Sequence, residues 1–434
     1  MTSSPQGKRR KRRDSETLSV TRLATFTEAE RLLPDWRDLH VSSASRNPFT
    51  SPDWLLPWAR HFVAERDLAV LTVRRDDELI GVAPWYVKRS GPVRRLQLLG
   101  SGRHDSLTEL PQVLTAPGET RPVLRAVMTE WAREPGEWDW LELPLLDEQG
   151  WFEPEWVSGP VCEQGAIQHK VTRAAVVLEL PADVETLRQG LKRNLTESLR
   201  RARNRLGRSG LEWTVTVHDG EEGIRRALPH LARLHAARSD LGGRRHHPDV
   251  LANQARRAFL ADALGRMAAL GQARILTLDV AGEPVAAQLV LLAPAATFIA
   301  MSGVSPDWWH ASPVTLLQWH AAEAAVESGH AEFNLSVGPG VAKLRWSEQI
   351  RQHPEFLVCG PRRSSLAAYM AYRMVAAGAG VHRQAIRNRT KAARNDRRRT
   401  PVTQLTDLRQ PVTGGPERNV EALTEVMAQP GVRA

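Results

Sequence analysis

Five places in the chain carry residue types and spacings that could do chemistry. Ser312-Pro313 opens a helix directly after a strand and loop, and such a junction offers unpaired amides and the positive end of a helix dipole to a phosphate or other anion. Gly303 and Val304 end the strand on the other side of that loop, and Trp309 stands within it. Lys343 follows Gly338-Pro339-Gly340 at the end of the next strand, where a side chain of an open α/β sheet can reach a ligand as a point charge. His235 and Arg238 are three apart on one helical face, so a proton acceptor and a fixed cation would lie side by side; a histidine bound into the packing is the competing reading. Asp105 ends the run Gly100-Ser101-Gly102-Arg103-His104-Asp105, where it can cap a turn or meet a substrate amine.

These residues depend on a short list of elements. Residues 297–305 read as a strand, 306–311 as a loop, and 312–328 as a helix with Ser312 as N-cap, Pro313 at the first helical position and Gly329 closing the end. Residues 332–337 read as the next strand. The same order occurs earlier. Leu71-Thr72-Val73, Glu78 and Ile80-Gly81 align without gaps on Leu276-Thr277-Leu278, Glu283 and Val285-Ala286, each reading as a strand, a polar turn and a second strand. Arg121-Pro122-Val123 then opens a helix before a strand at 138–143, as Ser312-Pro313-Val314 does before 332–337. The spacing predicts a duplicated α/β unit.

Between the copies, Leu187, Leu191, Leu195, Leu199, Ala202 and Leu206 form an apolar stripe on a predicted basic helix over 187–209. Its arginines are either solvated or meet an anionic partner. Residues 220–239 and 250–271 read as helices, and Phe49, Trp54 and Trp58 as packing of the first core. Val285 to Val304 is apolar enough to suggest a membrane span, but Gln288 and Pro294 divide it into two buried strands, so no transmembrane segment is expected.

The 434 residues suffice for two ordinary cores. A net charge of +10 favours polyanionic partners, including nucleic acid, acidic lipid surfaces and polyphosphates, without choosing among them. Residues 1–19 are predicted as a disordered basic tail, 361–399 as a basic helical extension and 400–434 as a disordered tail. Two cysteines, Cys162 and Cys359, and the lack of a signal-peptide core predict a reducing, cytoplasmic setting. His246-His247 has no partners at ligand spacing, so no metal is expected. No G-x-S-x-G, Walker loop or G-x-G-x-x-G follows a strand, which removes the hydrolases, nucleotide triphosphatases and dehydrogenases that carry them.

As an ensemble, the run S-G-V-S-P-D-W-W-H-A-S-P-V-T-L-L-Q-W-H-A-A-E-A-A-V-E-S-G-H-A-E-F-N-L followed by G-x-x-x-x-K-x-x-W resembles the closing segment of the FemAB-like and CelD-type acyltransferases of the GNAT superfamily. The P-F-T-S-P-D-W segment, the arginine-rich helix and L-H-A-A-R are also similar to that family. The resemblance implies an α/β fold of two fused GNAT-like (acyl-CoA N-acyltransferase) units with mixed sheets flanked by helices, spanning 20–180 and 181–360. It implies transfer from acetyl-CoA or another acyl-CoA to a small or lipid-linked amine on a cell-envelope or polysaccharide-related precursor. Under that reading Gly303, Val304, Ser312 and Pro313 bind the donor, Lys343, Trp309 and Arg238 the acceptor, and Asp105 and His235 are the candidate catalytic groups. The common phosphate signature Gln/Arg-x-x-Gly-x-Gly/Ala is absent, as it is in FemAB-like relatives, some of which take an aminoacyl group from tRNA. The helical-hairpin insertion of those members is not evident, which places acyl-CoA ahead of aminoacyl-tRNA. A different class also fits the charge: a non-catalytic basic protein that binds RNA or an anionic surface.

Overall fold

The structure is a computed structural model and describes residues 18–102, 107–144, 167–239 and 248–375. In chain order the first half contains β1 (Leu18–Leu23), α1 (Phe26–Arg31), α2 (Leu33–Ser42), α3 (Pro52–Phe62), β2 (Leu68–Arg75), β3 (Glu78–Ser90), β4 (Val93–Leu98), β5 (Leu114–Thr115), α4 (Thr120–Arg133), β6 (Trp140–Pro144) and β7 (Ile167–Glu179). The second half contains α5 (Val184–Gly190), α6 (Arg193–Arg208), β8 (Trp213–His218), α7 (Gly220–Ser239), α8 (Gln254–Ala269), β9 (Ala273–Val280), β10 (Glu283–Ala293), β11 (Ala296–Val304), α9 (Pro313–Glu327), β12 (Glu332–Val337), α10 (Val341–Leu344) and β13 (Ile350–Cys359). A helix α11 occupies residues 363–375.

The strands form one continuous mixed sheet in the order β1-β2-β3-β4-β6-β13-β7-β12-β11-β10-β9-β8, with β5 on β3. The predicted hairpins are β2–β3 and β9–β10, paired antiparallel as Leu71↔Ala83 and Leu276↔Gln288. Each half thus lays down an antiparallel meander, crosses over through one helix (α4 or α9) and returns as a parallel strand (β6 or β12). The last strands are exchanged. β7 closes the second half's sheet against β12, β13 closes the first half's against β6, and the two pair with each other at the centre.

Alternation along the strands splits the core between the two faces. On one face α1–α3 and α7–α8 share a single cluster in which Phe49, Trp54 and Phe259 meet edge to face. Phe49, Trp54 and Trp58 are at most 1% exposed, so packing accounts for them, though the core they fill serves both halves. On the other face α4 covers the first half, and α5, α6 and α9 cover the second.

Several expectations need correction. The single basic helix over 187–209 is two helices, broken where Leu191 turns extended and Lys192 reaches the Leu344 carbonyl and Glu348. Gly190 at the end of α5 weakens continuation. The loop at 306–311 is a 3₁₀ turn, Pro306–Ala311. The Gly-Pro-Gly elbow leads into α10, which carries Lys343. Of the predicted 1–19 tail, Leu18 and Ser19 belong to β1 and residues 1–17 lie outside the described residues, as do 376–434, Asp105 and Cys162; Cys359 is buried. Among the described residues no helix is long and apolar enough to cross a membrane.

Candidate active site

The centre of the site is a fork. β11 and β12 pair in parallel at only three positions, Ala296↔Glu332, Thr297↔Phe333 and Phe298↔Asn334. Beyond them β11 stays with β10 as far as Val304↔Ala286, while β12 leaves with β7, its register slipping between Asn334 and Val337. Asn334 supports the slip by accepting from the Ser336 amide at 2.9 Å, and Ser336 takes a left-handed φ of 75° that a side-chain-bearing residue adopts only under constraint.

On the β12 side of the fork, Gly338 N–H donates to Ala174 of β7 at 2.8 Å. Successive strand residues point their backbone groups to opposite sides, so those of Val337 point away from β7. Two charged side chains take them. Glu109, from the loop after β4, accepts from Val337 N–H at 2.9 Å, and Lys343 Nζ donates to the Val337 carbonyl at 2.6 Å. Ser336 Oγ lies 2.5 and 2.6 Å from the two Glu109 oxygens, and Arg173 of β7 donates to the Glu109 backbone carbonyl at 2.9 Å. Burial raises the Glu109 carboxyl above the usual range, opposed by Ser336, the Val337 amide and the charges of Lys343 and Arg173. Burial lowers Lys343, opposed by Glu109 and reinforced by Arg238.

On the β11 side stand His235 and Arg238 of α7. His235 Nδ1 donates to the Ser302 carbonyl at 3.0 Å, and its Nε2 accepts from Val250 N–H at 3.4 Å, a tautomer assigned from these partners. Both ring nitrogens are engaged with backbone, so His235 anchors α7 to β11. Arg238 reaches Ser302 Oγ and its carbonyl, and burial lowers its pKa. Gly303 has a packing cause: a Cβ there would lie 2.4 Å from the His235 nitrogen and 2.5 Å from the Leu234 carbonyl carbon. Val304 is buried in the opposite core.

Past β11 the 3₁₀ turn leads to α9. Ser312 occupies the N-cap position, but in the left-handed conformation (φ 53°, ψ 45°) and without a side-chain capping bond; the preceding turn, closed by Ser312 N–H on the Trp309 carbonyl, sets that backbone. Pro313 takes the first helical position as expected. Trp309 is 52% exposed, and Arg205 of α6 bonds the His310 carbonyl, bringing the basic helix alongside this turn.

Further polar groups sit on the sheet between the halves. Glu332, 1% exposed, receives Arg351 at 2.6 Å and Arg46 at 3.5 Å. His353, register partner of Arg173, is 3% exposed, has no hydrogen-bond partner on either ring nitrogen among the described residues, and is lowered by burial to about 4. No group of three or more potential metal ligands occurs among the described residues.

The fork therefore unites Lys343, Arg238 and His235 with Gly303 and Val304, with Ser312, Pro313 and Trp309 on the segment that follows. Glu109, Arg173, Ser302 and Ser336 escaped sequence reasoning. Glu109 sits in T-E-L-P with no periodicity or motif, and only the Gly100–Asp105 run that ends four residues earlier pointed near it.

Residues 193–343 match the acetyltransferase (GNAT) domain family, a segment that begins at α6 and ends on Lys343. No curated protein sequence matches the chain. Among solved structures, that of FemX superposes with a TM-score of 0.54 at 11% identity, covering 77% of this chain and 96% of that one. The C-terminal domain (DUF2156) of a putative lysylphosphatidylglycerol synthetase from Agrobacterium fabrum gives 0.48 at 11% identity, over 80% and 96% of the two chains. A tandem GNAT protein from the clavulanic acid biosynthesis pathway gives 0.43 at 14%, over 80% and 99%. At such identities the likeness to FemX concerns the fold alone. The fold is mixed α/β and GNAT-like.

Proposed function

We propose that this protein is a cytoplasmic N-acyltransferase of FemAB-like or CelD-type character, built from GNAT-like repeats at 20–180 and 181–360. It moves an acyl group, acetyl in the simplest case, from acyl-CoA to an amine on a cell-envelope or polysaccharide-related precursor. The observation that carries this reading is the fork between β11 and β12. Strand backbone beyond Phe298 is left without a β12 partner, so a thioester arm can lie along β11 and have its carbonyl polarised by an amide. Gly303 and Val304 form the β11 wall, and Ser312 and Pro313 present the start of α9 to the donor's phosphates. Lys343 and Arg238 place cations where an anionic part of the acceptor would sit, Trp309 offers it a ring, and His235 keeps Ser302 in position. Asp105 remains a candidate for holding the acceptor amine. The acceptor class rests on the resemblance of the 302–346 segment to FemAB-like and CelD-type proteins.

Calorimetric titration with acetyl-CoA tests the reading, with thiol release in the presence of amines as the second readout. Saturable binding at physiological salt and amine-stimulated thiol release are expected. The exposed arginines of α6, among them Arg200, Arg203 and Arg208, favour one competitor, an RNA-binding or surface-binding protein without chemistry. Tight RNA binding that falls steeply with salt, together with no acetyl-CoA binding, would establish that competitor.

A further inference from the structure

We infer that the first repeat supplies the proton acceptor for the second repeat's fork: Glu109 takes the proton from the acceptor amine as it attacks the donor. The inference rests on the acyltransferase reading above. It adds a residue that neither motif nor resemblance marks, and it gives the first repeat a part in the chemistry.

Four observations converge on Glu109. Its carboxylate sits on the fork side of β12, one residue past the slip that opens the fork, because it binds the Val337 amide that points away from β7. The contact is built: Ser336 is held in a left-handed conformation and presents both its hydroxyl and the next amide to the same carboxylate. Glu109 is only partly buried as a residue, while its carboxyl group is enclosed by Ser336, the Val337 amide and Lys343. Among the described residues, buried Glu332 is committed to Arg351 and Arg46, Glu142 to Gln97, and Asp139 to Arg362 and Ser365.

The surroundings suit a base that must change charge. Lys343 on α10 and Arg173 on β7 face Glu109, Arg238 on α7 faces Lys343, and the neutral ring of His353 on β13 lies across from Arg173. Burial disfavours the anion more than these cations and the hydrogen bonds favour it, so the carboxyl is more basic than a solvated one, as a proton acceptor must be. The step balances. The amine nitrogen bonds to the thioester carbon and its proton passes to Glu109; the tetrahedral intermediate collapses with cleavage of the carbon–sulfur bond, and the departing CoA thiolate takes that proton, leaving amide, thiol and the original carboxylate.

The test uses the full chain and its Glu109→Gln variant, with acetyl-CoA as donor and ethanolamine, glucosamine and water as probe acceptors. Thiol release is followed across pH. Glutamine keeps an acceptor for Val337 N–H and a partner for Ser336, so acetyl-CoA affinity should stay within about twofold and the melting temperature should hold or rise, while kcat falls by about 100-fold or more and the acidic limb of the rate profile disappears. Wild type with amine-stimulated turnover and a Glu109→Gln variant of equal turnover and unchanged acidic limb would overturn this role alone. Loss of acetyl-CoA binding in a folded Glu109→Gln protein would make Glu109 structural and overturn it as well. A wild type that neither binds acetyl-CoA nor releases thiol would remove the acyltransferase reading, and this inference with it.

Discussion

Glu109 and Lys343 bind the two backbone groups of one residue, the carboxylate taking Val337 N–H and the ammonium the Val337 carbonyl. A single residue of β12 therefore fixes the spacing between an anion from the first repeat and a cation from the second. The pair is held by backbone, so either side chain can be altered while the other keeps its own anchor.

Lys343→Met removes the charge and keeps an unbranched stem. We expect the acceptor's KM to rise about tenfold with donor affinity unchanged, the worth of one charge-assisted contact. Because the Lys343 pKa is lowered, its proton is lost at less alkaline pH than a solvated lysine's, so wild type and variant should converge as pH rises toward the ordinary lysine range. Initial rates across acceptor concentrations at two pH values check this; superimposable curves at neutral pH would assign Lys343 to structure alone.

Ser312 is left-handed and caps nothing with its side chain, so substitution there tests ligand binding with little interference from helix capping. Ser312→Gly suits the backbone and should leave both stability and acetyl-CoA affinity close to wild type. Ser312→Asp places a carboxylate where the donor's phosphates are proposed to lie and should weaken affinity about tenfold or more at low salt, less at high salt. Calorimetry on both variants decides; equal affinities would move the phosphates elsewhere.

Gly303→Ala should be severely destabilising. The new methyl would stand 2.4 Å from a backbone nitrogen of α7, which cannot swing aside as a side-chain tip could. A loss of about 3 kcal/mol is expected from overpacking two backbones, read as a lower urea midpoint. A midpoint within error of wild type would show that α7 can slide on β11.

His353 predicts a pH dependence of stability. Its folded pKa is depressed to about 4, so the folded state resists the proton that the unfolded chain accepts. Its contribution is fully present above the unfolded value of 6.5 and is lost as pH falls toward the folded one. This amounts to about 2 kcal/mol between about pH 7 and 5. His353→Leu, which discards two unpartnered nitrogens, should match or exceed wild type at neutral pH and show a smaller acid loss. Denaturation at both pH values measures the difference; parallel losses in the two proteins would refute it.

Much of the second half was legible because its signals are local. Pro313 and Gly329 bracket α9, alternating apolar runs give β9 to β11, and the Leu71/Leu276 alignment exposes the duplication. The resemblance located the fork's two walls, Gly303 and Lys343, but packing against α7 explains Gly303 without a ligand. Ser312 misled because a good N-cap residue type does not ensure capping geometry when the preceding turn dictates a left-handed backbone. Glu109 and Ser336 were illegible for a different reason. Their pairing joins residues 227 apart and depends on a register slip that no pattern within either segment encodes.

The exchange of β7 and β13 bears on how the chain folds. Neither half contains the strand that completes its own sheet: β12 pairs with Val177 and Leu178 of the earlier β7, whereas β6 must wait for Phe356 and Leu357 of β13. A nascent first half leaving the ribosome would hold a bare strand edge until the last described strand is synthesised. Such an edge invites pairing with other chains, so this protein's greatest exposure to aggregation falls during translation, before residue 350 has emerged.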